Sequence, residues 1–242
     1  MGHLVSVAVA DGIATITLDS PANRNALSQQ LLADLHHALD DAEAANARVV
    51  VLTHTAPVFC AGADLKERST GLVDSTSFVQ AIERLGTIAA PVIAAVNGPV
   101  RAGGIGLMAA CDLVVVESSI TFAFTEVRIG VAPAIITGPI LQRCGWSKLA
   151  SAYLTGEVFD ATTALDIGLV THVTDDVSAT VAQLCRDLLL GGPNALAATK
   201  QLLRQPHTMP ELQALSESLF ISAEGREGMA AFAEKRPPRW AQ

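Results

Sequence analysis

Hydrophobic residues alternate with polar or small ones twice near the start of the chain, in Val5-Ser6-Val7-Ala8-Val9 and in Ile13-Ala14-Thr15-Ile16-Thr17-Leu18. Asp11-Gly12 separates the two runs, so the segment predicts a β-hairpin. Pro21 stops the second strand. The period then lengthens. Leu31, Leu32, Leu35 and Leu39 fall on one helical face, and Ser28 is a suitable N-cap for a helix reaching about Asn46. Residues 48–53 read as a buried strand, 74–88 as a helix and 91–96 as a second buried strand closed by Asn97-Gly98-Pro99. Gly103-Gly104 opens a helix of small residues to about Ala110, and 112–116 is again a strand. Strand, loop and helix in this order predict parallel crossovers.

Beyond Gly130 the pattern is mostly helical, over 135–144, 147–155 and 161–167, with one strand at 169–173. Three further helices are predicted at 177–190, 195–204 and 211–223, with Pro193 and Pro206 separating them. No internal repeat or low-complexity tract is present. The elements predict an α/β fold, with a β/α core over 1–190 and a C-terminal helical region over 191–242 that continue into one another.

Composition narrows the function classes. Half of the 242 residues are hydrophobic and only 17% are charged, enough apolar content for a sizeable core. The net charge of -8, with no basic cluster beyond Lys235-Arg236-Pro237-Pro238-Arg239, argues against a nucleic-acid partner. An acidic protein can still hold an anionic ligand with a few local cations and backbone amides. The four cysteines are widely spaced and form no C-x-x-C pair, as expected of reduced thiols in a cytoplasmic protein. No signal peptide or membrane-length apolar span is visible.

Three segments could carry chemistry. Cys60-Ala61-Gly62-Ala63-Asp64 places small residues directly after a strand, which suits either a tight turn or a backbone that approaches a ligand. Asn97 to Gly106 joins a strand to a helix start, where free N–H groups and the helix dipole favour developing negative charge; its glycines could equally serve close helix packing. Glu126 is the one acid in a strongly apolar stretch around Phe122, Phe124, Val127 and Ile129. A desolvated carboxyl there would be raised toward acid/base work, whereas an exposed one would pair with a nearby Arg. Nucleotide fingerprints, a G-x-S-x-G elbow and metal-ligand spacings are absent. His36, His37 and His207 are expected at the solvated surface, and His54 lies at a strand end.

Together these segments resemble the enoyl-CoA hydratase/isomerase (crotonase) superfamily over essentially the whole chain. The resemblance rests on Pro21-Ala22-Asn23-Arg24-Asn25-Ala26-Leu27, on Phe59 to Glu67, and on Asn97-Gly98 through Gly103-Gly104 to Cys111-Asp112. Leu154-Thr155-Gly156, residues 164–170 and residues 227–236 extend it. It implies a repeated ββα spiral core with a C-terminal helical trimerisation region, assembling as a homotrimer or a dimer of trimers. It also implies an acyl-CoA substrate, with coenzyme A entering as part of that substrate and no prosthetic group. The catalytic residues implied are Glu126 and the backbone N–H groups of Ala63 and Gly103, which would hold the thioester oxygen. Arg24, Ala61, Leu65, Lys66, Phe232 and Lys235 match coenzyme A-binding positions, the last two often reaching across a subunit boundary.

Two departures bear on the reaction. Family hydratases carry two catalytic glutamates; Glu126 matches the second, but Gly106 stands where the first would be. Ala132-Pro133-Ala134-Ile135-Ile136-Thr137 replaces a glycine-rich stretch, so Ile135 and Ile136 are expected to reshape the acyl pocket. Arg101 adds a cation beside the second loop, able to meet coenzyme A, an acidic acyl group or a surface carboxylate. The resemblance leaves three activities: an enoyl-CoA hydratase using one glutamate, a double-bond isomerase, or a non-catalytic acyl-CoA binder.

Overall fold

In the computed structural model, which describes residues 2–69 and 74–241, the chain begins with the expected hairpin, β1 (Val5–Ala10) and β2 (Ile13–Leu18). It continues through α1 (Gln29–Ala44), β3 (Val49–His54), the single turn α2 (Leu65–Arg68), α3 (Thr76–Thr87), β4 (Val92–Val96) and the short β5 (Val100–Arg101). Next come α4 (Gly103–Ala110), β6 (Leu113–Glu117), β7 (Thr121–Ala123), α5 (Ala134–Leu141), α6 (Trp146–Thr155) and β8 (Val158–Asp160). The chain ends with α7 (Ala161–Asp166), β9 (His172–Thr174), α8 (Val177–Leu189), α9 (Pro193–Arg204), α10 (Met209–Ile221) and α11 (Ala223–Ala233).

The main sheet has the order β1-β2-β3-β4-β6-β9. Only β1 and β2 are antiparallel; the four pairings that follow are parallel. Both faces are covered, which explains why β3, β4 and β6 read as unbroken apolar runs. Val50, Leu52, Val92, Ala94, Val114 and Val116 face the larger core, shared with Leu31, Leu35 and Leu39 of α1 and Ile105 and Met108 of α4. The alternate residues Val49, Val51, Ile93, Ala95 and Val115 face Val177, Val181 and Cys185 of α8. As expected, the Ser28 hydroxyl accepts the Leu31 N–H at 3.2 Å and starts α1.

Several sequence expectations are corrected. The strand expected over 169–173 is shorter and later, at β9, because Leu169 and Val170 are drawn into the core. Pro193 does not stand between helices but opens α9 at its first turn, where a missing N–H costs nothing. Within the C-terminal helical region a fourth helix, not among the three predicted, follows residue 222: Ser222 accepts the Gly225 N–H at 2.9 Å and starts α11. A second sheet, β5-β7-β8, was not legible because its strands have only two or three residues. His36 is half-buried with Nε2 3.0 Å from the Ser77 carbonyl, and Nε2 of His207 is shielded from solvent, so neither is a fully solvated surface residue.

A buried ionic cluster joins the C-terminal helices to the sheet. Asp112 accepts the Val92 N–H at 2.8 Å, Lys200 Nζ at 2.8 Å and Arg204 Nη2 at 2.7 Å. Lys200 also donates to the carbonyls of Leu85 and Ala90 at 3.0 and 3.1 Å. Burial pushes the Lys200 ammonium down, and the Asp112 carboxylate opposes that shift. Removing the carboxylate leaves a buried charge without its partner. Asp112→Ala is therefore expected to lose about 3–5 kcal/mol in denaturant unfolding. A loss below about 1 kcal/mol would mean the cluster behaves as a solvent-screened surface pair.

Candidate active site

The site is built where the loop after β3 meets the loop after β4. Backbone bonds stitch the two together: Phe59 N–H to the Pro99 carbonyl at 3.2 Å and Arg101 N–H to the Cys60 carbonyl at 3.0 Å. Ala61 N–H donates to the Arg24 carbonyl at 3.1 Å, and Leu27 N–H to the Gly62 carbonyl at 2.8 Å. Gly62 makes the approach possible. Its φ is +93°, and a Cβ there would lie 2.8 Å from the Ala102 Cβ and 3.4 Å from the Gly103 nitrogen. Ala102 takes a conformation that favours glycine, φ 48° and ψ -121°, held by its N–H donating to the Ala123 carbonyl at 3.1 Å. This sharp turn delivers Gly103 as the first residue of α4. Among the described residues, neither the Ala63 nor the Gly103 N–H has an acceptor.

Ala63 and Gly103 line one cavity of about 430 Å³ together with Glu126. Leu27, Leu32, Phe78, Ile135 and Ile136 form apolar wall, and Ala61 and Leu65 also contribute. The segment before Glu126 is anchored by β7, which pairs with β5 on one side and β8 on the other. Phe122 stacks on Phe159 at 5.4 Å, and Phe124 lies 4.2 Å from the Tyr153 ring. Glu126 itself starts a 3₁₀ turn to Ile129. It is half-buried, and its Oε2 is shielded from solvent with no hydrogen-bond partner among the described residues. Desolvation raises its pKa above the ordinary value, against a smaller opposing effect from its own backbone N–H. Of the two sequence alternatives for Glu126, the structure has the desolvated one, with no Arg paired to it among the described residues.

Gly106 and Ile136 are one feature rather than two. A Cβ on Gly106 would lie 2.3 Å from Ile136 Cγ2 and 2.6 Å from its Cβ. The space a side chain at 106 would need is filled by an isoleucine, and no second carboxylate lines the cavity among the described residues. Arg101 does not face the cavity. Its guanidinium donates to the Val100 and Thr121 carbonyls at 2.9 and 2.5 Å and to the Thr121 hydroxyl at 2.9 Å, so it fastens β5 to β7. Cys60 is fully buried, and burial pushes its thiol up to about 12, which leaves it a packing residue.

Of the ligand-binding positions expected from sequence, Ala61 and Leu65 line the cavity. Arg24, Lys66, Phe232 and Lys235 are exposed and lie outside its lining. The sequence reading missed Arg68, which does line it together with Ser75. Its position three residues after Leu65, within one helical turn of it, was the available signal.

A half-buried carboxyl and two loop residues whose N–H groups have no acceptor among the described residues thus line one largely apolar cavity on a parallel α/β scaffold. The chain belongs to the enoyl-CoA hydratase/isomerase family, whose family model matches residues 8–242. It is 36% identical to a candidate enoyl-CoA hydratase of Thermus thermophilus over 94% of this chain and 97% of that one. Among solved structures it is similar to an enoyl-CoA hydratase from Mycobacterium avium, at 42% identity, TM-score 0.76 and coverage of 99% and 100% of the two chains. It also resembles an enoyl-CoA hydratase from Shewanella pealeana, at 26% identity, TM-score 0.90 and coverage of 98% and 96%.

The Gly106–Ile136 contact generates a stability prediction. Gly106→Ala forces an overpacked contact and is expected to cost about 1–3 kcal/mol. Ile136→Ala opens a cavity and costs a similar amount or more. Because the two side chains compete for one space, the double variant should be more stable than the sum of the single losses implies. Strict additivity in denaturant unfolding would show that the two positions do not compete.

Proposed function

We propose that the protein is an enoyl-CoA hydratase-type lyase that works with a single catalytic glutamate. The observation that carries this reading is the cavity shared by Glu126, with its unpartnered Oε2, and the acceptor-free N–H groups of Ala63 and Gly103. The thioester oxygen accepts from both amides and becomes enolate-like as water adds to Cβ. The amides, fixed at the start of α4 and in the facing loop, stabilise that charge more than the neutral carbonyl. Glu126 takes a proton from the attacking water and returns it to Cα, so the hydroxyl is added at Cβ and the hydrogen at Cα. The backbone of Ala61 and Leu65 holds the adenine end of coenzyme A, with Arg24 and Lys66 near its phosphates. In a homotrimer or dimer of trimers, Phe232 and Lys235 reach the coenzyme A of a neighbouring subunit.

One observation favours a second reading. Ile136 occupies the space of a side chain at 106, so Glu126 is left without a second carboxylate to help position water. A single carboxylate suffices to move a proton between Cα and Cγ of a dienolate, which is double-bond isomerisation. Side-by-side assay of 2-enoyl and 3-enoyl thioesters separates the two, since hydratase activity gives the 3-hydroxyacyl product without double-bond migration.

Glu126→Gln is expected to abolish turnover while leaving acyl-CoA affinity within a few-fold. The same variant should unfold at a temperature no lower than the native protein at neutral pH. Burial raises the folded pKa, so the carboxylate is the disfavoured form in the native state and stability falls as pH rises through that range. The base must be ionised, so kcat/KM should fall as pH drops, with its acid limb above the ordinary glutamate range. Unchanged hydration by Glu126→Gln would remove this residue from the mechanism.

A further inference from the structure

Arg68 is a cation lining the cavity, contributed by the end of α2. It is partly buried, and Nη1 donates to the neutral Ser75 hydroxyl at 3.1 Å. Among the described residues no carboxylate lies within ion-pair distance of its guanidinium. Asp74 has an electrostatic link to it but is exposed and bonded elsewhere: Asp74 Oδ1 accepts the Thr76 N–H at 2.8 Å. Bonds to Thr76 chiefly hold the Asp74 carboxyl below its usual range, and Arg68 makes the smallest contribution. A guanidinium has five donors, so most of the Arg68 fork is left for a ligand.

Its place is also defined. Ser75 immediately precedes α3, and Phe78 of that helix reaches the second amide loop, with Cζ 3.4 Å from where a Gly103 Cβ would be. Ser75 and Phe78 are one helical turn apart, roughly 4.5 Å along the axis. The Arg68 head, bonded to Ser75, therefore stands about one turn from the part of the apolar wall, Phe78, that lies against Gly103. Phe78, Leu32 and Ile135 lie along that wall. Arg24 and Lys66, the cations assigned to phosphate, are outside the cavity lining.

We propose that Arg68 is a specificity-determining residue that accepts a carboxylate at the far end of the acyl group, so that the preferred thioesters are short dicarboxylic ones. The inference rests on the acyl-CoA reading of the cavity but not on which reaction follows. The charge-assisted, two-pronged contact replaces water around a guanidinium already pinned by Ser75. The same chemistry could be satisfied by a coenzyme A phosphate, and the test separates the two sources.

Isothermal titration of the native protein would use free coenzyme A and two length-matched pairs, glutaryl-CoA with valeryl-CoA and adipyl-CoA with hexanoyl-CoA. At least one carboxylate-ended member should bind about tenfold or more tighter than its methyl-ended partner. Arg68→Met should erase that preference with free coenzyme A affinity unchanged, and Arg68→Lys should retain some of it. Equal affinity within both pairs in the native protein, with the thioesters still binding, would overturn the role of Arg68 alone. An equal loss for all five ligands in Arg68→Met would assign the residue to the phosphates and overturn the proposal. Failure of every thioester to bind the native protein would overturn the acyl-CoA reading as well.

Discussion

The site depends on how closely two backbone segments approach at Gly62 and Ala102. A side chain on Gly62 would collide with Ala102, and Ala102 itself adopts a conformation normally left to glycine. Such strain costs on the order of 1–3 kcal/mol and persists only where the surroundings hold it. Here they do. The Cys60 and Pro99 carbonyls, the Ala123 carbonyl and the Gly62 carbonyl all accept backbone N–H groups across the junction. The outcome is that Gly103 opens α4 and Ala63 stands in the facing loop, each with an N–H that has no acceptor among the described residues. Two rigid donors are obtained without any polar side chain.

Glu126 is held by a different device. β7 is wedged between β5 and β8, with Arg101 tying β5 to Thr121 and stacked aromatic rings filling the interior. Glu126 follows this anchored strand after Phe124 and Thr125 and is half-buried. The same enclosure leaves Oε2 without a partner and raises the pKa. A carboxyl in this condition lowers stability in its charged form. Ile136 over Gly106 makes the arrangement asymmetric, with a carboxyl on one side of the cavity and hydrocarbon where a side chain at 106 would stand.

Much of this was legible in the sequence because it follows from local pattern. The hairpin at Asp11-Gly12, the Ser28 cap and the apolar runs of β3, β4 and β6 need only period and turn chemistry. Gly103 as the first residue of α4 was visible in the same way. The second sheet was not, because β5, β7 and β8 are too short to show alternation and exist only through pairing with one another. α11 was missed because Gly225 and Gly228 weaken its helical signal. The two alternatives for Glu126 could not be separated from one dimension, since burial depends on α6 packing beside its turn. The complementarity of Gly106 and Ile136 was likewise hidden: each residue stood out alone, but their contact spans 30 positions and needed coordinates. Arg68 carried no motif, and only the cavity set it apart from the exposed Lys66 two residues earlier.

The central claim is that the Ala63 and Gly103 amides polarise a thioester carbonyl. Difference infrared spectroscopy of a carbonyl-labelled enoyl-CoA bound to the protein tests it most directly. The account predicts a shift of the thioester C=O stretch to lower frequency on binding, retained in Glu126→Gln because the donors are backbone groups. A bound thioester whose carbonyl stretch stays at its value in water would contradict it.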